Sequence, residues 1–317
     1  MTPRPSGDER TRTVFLGSGA FGVPSLRALV GHPDIELLSV VTAPPRPVGR
    51  RAVLTPTPIG ALAAELDLPL LTPERLRSAE SVAAILALEP GLAVLADYGQ
   101  IVPPPLLDLP HGALNLHPSA LPRWRGASPI PATIVAGDAE TAVTLMRMDA
   151  GLDTGPIVAR VLVPVPGGEV APHLEARLAE VAAALLAESL GPWLRGELVP
   201  AAQATDGMTL TRPLRREDGR LDPLRPAAAL EREVRAYQPW PGSFLEVDGD
   251  RLVVTAASVA PAEPGDEPGG VVGHGRGGVA LVTSAGRLVL EQVTPAGRRS
   301  MTGGDWSRGR GHRPASG

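Results

Sequence analysis

The chain has no cysteine. Disulfides, thiolate catalysis and cysteine-ligated zinc are therefore excluded. Lysine is missing as well, so all 30 basic residues are arginine. That removes Schiff-base chemistry, a pyridoxal anchor and a phosphate-loop lysine. No apolar run reaches the roughly 18 residues of a membrane helix without a charge, proline or glycine in it. The opening residues, MTPRPSGDERTRT, lack the apolar stretch of a signal peptide. No membrane association is expected, and the cytoplasm is the expected compartment. Asparagine occurs once, at Asn115. Lysine and asparagine codons are AT-rich, so the scarcity reads first as a GC-rich genome. A chain that avoids asparagine and keeps one is expected to need that amide.

What is present suits a globular protein of two domains. The length is 317 residues, of which 43% are hydrophobic, enough for a sizeable core. Glycine and proline number 36 each, which brings the chain close to low-complexity composition. The net charge of -4 argues against a globally basic nucleic-acid binder. Residues 269–317, however, carry seven arginines against two acids. Such a stretch is either a solvated face or a polyanion footprint.

Along the chain, residues 1–11 read as a disordered leader. Thr13–Leu16 predicts a strand, GSGAFG a turn, and VPSLRALV a helix ending at Gly31. Ile35–Thr42 predicts a second strand. Residues 43–58 look too broken by proline for regular structure. Strands are expected at 69–71, 92–96, 113–116, 142–148 and 156–163. Helices are expected at 58–66, 78–88, 129–136 and 173–194. This alternation predicts an α/β fold with a mainly parallel sheet. After about residue 205, short strands at 244–247, 251–256, 270–273, 279–282 and 287–293, with a helix at 230–236, predict a small antiparallel barrel. The boundaries are 12–200 for the first domain, 201–209 for a linker and 210–308 for the second. Residues 309–317 are expected as a disordered tail, with fraying from Ser307.

Three motifs carry chemistry. Gly17-Ser18-Gly19-Ala20-Phe21-Gly22 has the GxGxxG form after a strand. It fits a dinucleotide fingerprint or plain close packing of helix on strand. The next strand ends Val41-Thr42-Ala43, without the acid that holds a ribose, which leans towards packing. Asn115 and His117 sit at a strand end two residues apart, so their side chains share a face. An amide beside an imidazole suits a developing oxyanion; a turn-capping asparagine and a surface histidine are the plainer alternative. Met148–Gly155 holds two carboxylates, Asp149 and Asp153, and two glycines, a tight turn whose carboxylate could raise a nearby imidazole pKa. No spacing suggests a metal site.

Together the stretches NLHPSALPRWRGASPI, AGDAETAVTLMRMDAGLDTGPI and FLGSGAFGVPSLRAL resemble the methionyl-tRNA formyltransferase family. The likeness continues through VVTAPPRPVGR, YGQIVP, RAYQPWPGSF and VTPAGRRSM, roughly Thr13 to Gly309. It implies a Rossmann-like formyltransferase domain that binds no NAD, followed by a small OB-like β-barrel domain for tRNA. It implies formyl transfer from 10-formyltetrahydrofolate to the α-amine of methionine on initiator tRNA, by a monomer without a metal. Asn115, His117 and Asp153 fall on the family's catalytic triad, with Asp153 expected to keep His117 protonated. Ser119, Ala120, Leu121 and Pro122 fall on its folate segment, alongside Tyr98, Gly99 and Ile101. The folate contacts are expected to be mostly through backbone groups. Pro44–Arg51 falls on the loop that enters the acceptor stem, with Arg46, Arg50 and Arg51 expected on tRNA, and Arg298 and Arg299 expected along its backbone. That loop departs from the family's PDRPAGR by losing the acid at Pro45. The rivals are a folate-dependent formyltransferase for a small amine (an amino-sugar nucleotide or glycinamide ribonucleotide), an NAD-dependent oxidoreductase, and a non-catalytic tRNA-binding module.

Overall fold

The computed structural model describes residues 10–49 and 51–310. The expected leader up to Glu9, Arg50 and the end of the tail lie outside them. The chain divides into two compact units. The first comprises the residues up to Pro129, Glu140–Pro164 and Glu175–Thr211; the second comprises Ile130–Ala139, Val165–Leu174 and the residues from Arg212 onward.

In chain order the first unit opens with β1 (Thr11–Gly17), α1 (Val23–Val30) and β2 (Ile35–Val41). Next come β3 (Arg46–Val48), β4 (Val53–Thr55), α2 (Pro58–Glu65), β5 (Leu70–Leu71) and α3 (Ala79–Leu86). Then follow β6 (Leu92–Ala96), α4 (Pro104–Leu107), β7 (Ala113–His117), β8 (Arg125–Gly126), α5 (Pro129–Ala136), β9 (Glu140–Arg147) and β10 (Ile157–Pro164). The long helix α6 (Ala171–Leu194) and the short β11 (Leu210–Thr211) follow, while α5 from Ile130 and the start of α6 up to Leu174 belong to the second unit. Seven strands form one sheet in the order β10-β9-β7-β6-β1-β2-β5. β7, β6, β1, β2 and β5 are parallel, while β9 and β10 add antiparallel strands at one edge. β6, Leu-Ala-Val-Leu-Ala, is buried throughout, as a strand covered on both faces must be. Val14, Leu16, Val41, Leu76, Ile85, Ala93 and Leu95 pack into one cluster of the core. Thr57 and Ser78 cap α2 and α3 by accepting the N–H groups of Gly60 and Ser81, each worth about 1 kcal/mol.

The glycines of the GxGxxG motif serve packing. A Cβ on Gly19 would sit 1.5 Å from the Asp97 carboxylate, and on Gly17 or Gly22 2.7 and 2.9 Å from the Ala96 carbonyl. All three let the turn after β1 close onto the end of β6. Thr42, where a ribose-binding acid would stand, instead bonds the hydroxyls of Ser18 and Thr57.

Three local expectations are corrected. Residues 43–58 are not irregular: β3 and β4 form a hairpin in register Arg46↔Thr55 to Val48↔Val53, turned by Gly49 and Ala52 at positive φ. Pro47 is tolerated because a two-stranded ribbon has only edge strands. The expected linker is tied to the first unit by an Ile157–Ala201 bridge and by β11 pairing with β8. The chain does not fray from Ser307, because α8 (Gly303–Arg310) continues through it.

The second unit contains α7 (Ala227–Ala236), β12 (Ser243–Val247), β13 (Asp250–Ala260), β14 (Val271–His274), β15 (Gly278–Val282), β16 (Arg287–Pro295), β17 (Met301–Thr302) and α8. Its sheet is antiparallel in the order β12-β13-β16-β15-β14, with β17 on β16. That path does not close on itself, so the expected barrel is an open half-barrel. Leu230 and Val234 of α7 share its core with Leu252, Val254, Leu281, Leu288 and Val293.

Candidate active site

β1, β6 and β7 run parallel and end together, with Gly17 opposite Ala96 and Ala96 opposite Leu116. The turn after β1, the segment from Asp97 and the segment from His117 therefore emerge at one sheet edge, where open α/β sheets hold their ligands. Asn115 and His117 occupy alternate positions of β7, opposite Met146 and Thr144 of β9. The two-residue period puts both side chains on one face. Asn115 is partly exposed, and its amide has no hydrogen-bond partner among the described residues.

His117 is only 5% exposed. Its Nε2 lies 3.0 Å from the Trp124 carbonyl. A carbonyl can only accept, so Nε2 carries the proton. Nδ1 faces Asp153 Oδ2 at 4.0 Å. Asp153 Oδ2 in turn accepts the Gly126 N–H at 2.8 Å. The structure thus brings His117 and Asp153 together from separate loops. Their electrostatics correct one expectation. Burial, the largest effect, holds the His117 pKa below the ordinary imidazole value, and the Asp153 charge and the Trp124 carbonyl only partly offset it. Burial therefore favours the neutral imidazole, with the Nδ1 lone pair turned towards Asp153.

The Asp153 loop is strongly constrained. Asp153 has φ +51, a left-handed conformation that aspartate tolerates better than most residues. Asp149 Oδ1 accepts the Gly151 N–H and the Thr154 hydroxyl. A Cβ on Gly155 would lie 1.8 Å from the Arg147 carbonyl. Gly126 has φ +98, and a Cβ there would lie 2.2 Å from the Thr211 carbonyl.

The expected folate segments sit at the same edge but are not uniformly accessible. Ser119 and Leu121 are fully buried. The Ser119 carbonyl accepts the Thr144 hydroxyl, and the Leu121 carbonyl accepts Arg160. These two carbonyls are already bonded within the protein, and Ala120 and Pro122 remain partly exposed. Tyr98 buries its hydroxyl without a partner among the described residues, and burial pushes its pKa up to about 12. Gly99 faces open space. A cleft of roughly 670 Å³ is lined by Arg75, Arg77, Ser78, Gln100 and Ile101. Among the described residues no group of three or more His, Cys, Asp or Glu side chains could hold a metal ion, and no helix is long and apolar enough to cross a membrane.

Of the arginines expected on tRNA, Arg46 is exposed on β3 and Arg51 is exposed in the hairpin turn, while Arg50 lies outside the described residues. Arg298 and Arg299 are exposed in the second unit between β16 and β17. Sequence reasoning missed Trp124, Thr209 and Gln203. Gln203 bonds the loops that carry Arg125 and Asp153. Glutamine occurs only four times in the chain, so the scarcity argument applied to Asn115 could have drawn attention to it.

A formyl transferase family model matches residues 11–190, and a formyl transferase C-terminal domain model matches residues 213–311. The methionyl-tRNA formyltransferase of Halorhodospira halophila is 43% identical over 300 residues, covering 94% of this chain and 96% of its own. That of Chloroflexus aggregans is 41% identical over 300 residues, covering 94% and 97%. Among solved structures, a methionyl-tRNA formyltransferase from Clostridium thermocellum superposes with a TM-score of 0.54 at 15% identity, covering 80% of this chain and 95% of its own. The sugar 3N-formyl transferase WlaRD superposes with 0.64 at 12% identity, covering 92% and 100%. At such identities the superpositions show the fold alone. The agreement in sequence, over nearly the whole length and through both matched domains, decides the assignment: the chain belongs to the methionyl-tRNA formyltransferase family.

Proposed function

We propose that this protein transfers the formyl group of 10-formyltetrahydrofolate to the α-amino group of methionine on initiator tRNA. The observation that carries the reading is the free Asn115 amide beside His117, with Asp153 closing on the imidazole, in a chain whose family performs this transfer. The substrate amine attacks the formyl carbon, and negative charge grows on the formyl oxygen. Asn115 has an unoccupied N–H donor to stabilise that charge. The neutral Nδ1 of His117 can take the proton that the amine loses on forming the new C–N bond. Asp153 then faces an imidazolium and stabilises it. When the bond from the formyl carbon to the folate nitrogen breaks, His117 returns the proton to that nitrogen. The balance is one proton moved and one formyl group transferred, with no redox change.

The folate co-substrate fits the edge beside Tyr98, Gly99 and Ile101, where Gly99 is uncrowded and Ile101 is exposed. Ala120 and Pro122 are the exposed members of the second folate segment, with Ser119 and Leu121 supporting them from within. Arg75 and Arg77 in the adjoining cleft suit the carboxylates of a folate's glutamate. For tRNA, the hairpin offers Arg46 and Arg51 beside the exposed Val48, Val53 and Leu54, and Arg50 precedes Arg51 in the sequence. Arg298 and Arg299 supply charge for the phosphate backbone. The reading puts the enzyme in the cytoplasm with translation and requires only one copy of the chain. The test is incubation with 10-formyltetrahydrofolate and methionylated initiator tRNA. Formylmethionine on the tRNA supports the reading, and transfer only to a small amine overturns it.

A further inference from the structure

Resting on that reading, we propose that Gln203 is a positioning residue that holds Asp153 against His117, and that the strap from Gln203 to Thr211 belongs to the reaction machinery. Gln203 uses its whole amide. Nε2 donates to the carbonyls of Asp153 and Gly155 at 2.8 and 2.7 Å. Oε1 accepts from Arg125 Nε and NH2 at 3.0 and 2.8 Å. One side chain therefore joins the loop carrying the carboxylate to the loop carrying Trp124 and Gly126.

Those two loops are the ones that meet at His117. The Trp124 carbonyl accepts a hydrogen bond from the Nε2–H, and the Gly126 N–H donates to Asp153 Oδ2. The contacts close a ring: His117, Trp124, Arg125, Gln203, Asp153 and back to His117. The rest of the strap secures the same loop. Thr209 Oγ1 accepts the Trp124 N–H at 2.8 Å, and the Thr209 carbonyl accepts the Arg125 N–H at 3.0 Å. Thr211 Oγ1 donates to the Arg125 carbonyl and accepts the Ser128 N–H. Asp153 also needs this hold, because its backbone sits at positive φ and among the described residues its carboxylate is hydrogen-bonded by the Gly126 N–H alone. A glutamine is specified rather than an acid. Glutamate could still accept from Arg125, but its oxygens would oppose the two carbonyls that Nε2 now satisfies.

The test uses Q203M, similar in length and without the amide, and Q203E. It has two readouts: formylation of methionyl initiator tRNA, and titration of the His117 ring by nuclear magnetic resonance in the protein without substrates. Both variants should lose on the order of 10- to 100-fold in kcat, as misplacement of a catalytic group does, with little change in KM. In Q203M the His117 titration should move to lower pH, since the Asp153 charge is what draws it up. In a D153N background Q203M should add almost nothing, because it acts through the carboxylate. Wild-type kcat in Q203M overturns the proposal, and so does full additivity with D153N. A lower kcat with an unmoved His117 titration also overturns it, by reducing Gln203 to a general stabiliser. If the wild type fails to formylate methionyl-tRNA, the functional reading fails instead, and the His117 titration still decides the role of Gln203.

Discussion

Amide side chains in this protein divide by what they touch. Gln100 bonds the Leu76 N–H and the Pro73 carbonyl, Gln203 the carbonyls of Asp153 and Gly155, and Gln238 those of Val234 and Thr255. The single asparagine, Asn115, bonds nothing among the described residues and stands on the face shared with His117. Asn115→Ala should therefore lower kcat by about 10²–10³ while leaving the melting temperature nearly unchanged, since no internal bond is lost. His117→Ala and Asp153→Ala should lower kcat by similar factors. The three losses should be far from additive because the groups act as one unit; steady-state kinetics of the single and double variants checks this. The pH dependence follows from burial. The folded His117 pKa is depressed, so its active neutral form is lost as pH falls through a value below the ordinary 6.5. Asp153→Asn removes the charge that raises this pKa and should shift the acid limb of kcat/KM to lower pH. Activity that instead increases as His117 becomes protonated would rule out its role as a base.

Elements show why part of the site was legible in the sequence and part was not. The alternation of Asn115 and His117 in a buried strand is a local, period-two signal, and the LDTG turn is written in aspartate and glycine. Whether the imidazole is charged is not local. It depends on burial against Asp153 and Trp124, which lie 36 and 7 residues along the chain, and burial outweighed the carboxylate. The strap was invisible for the same reason, since Gln203 lies among alanines and meets its partners only after folding. The hairpin of β3 and β4 was masked by its prolines, which an isolated two-stranded ribbon tolerates. Gly126→Ala tests how tightly these elements interlock. A side chain there collides with the Thr211 carbonyl, disrupts β8 against β11, and displaces the N–H that holds Asp153. Formylation should fall on the order of 10²-fold, with the second unit still folded by its own hydrogen-exchange protection.

At the scale of the whole molecule, charge is distributed by task. The chain is acidic overall at -4, whereas the hairpin region and residues 269–317 are arginine-rich. Replacing Arg298 and Arg299 together should weaken all tRNAs about equally and flatten the dependence of log affinity on log salt by about one to two units. Arg46→Ala should reduce discrimination between initiator and elongator methionyl-tRNA, with the intrinsic hydrolysis of 10-formyltetrahydrofolate retained. Binding titrations at several salt concentrations separate these two effects. The central claim, that the Asn115–His117–Asp153 edge formylates methionine on initiator tRNA, is tested most directly by single-turnover transfer from 10-formyltetrahydrofolate to methionyl initiator tRNA, run with wild type and Asn115→Ala side by side. The wild type should give stoichiometric formylmethionyl-tRNA, and the variant should react at a rate about 10²–10³ lower. No formylmethionine from the wild type, or equal rates from both proteins, would contradict it.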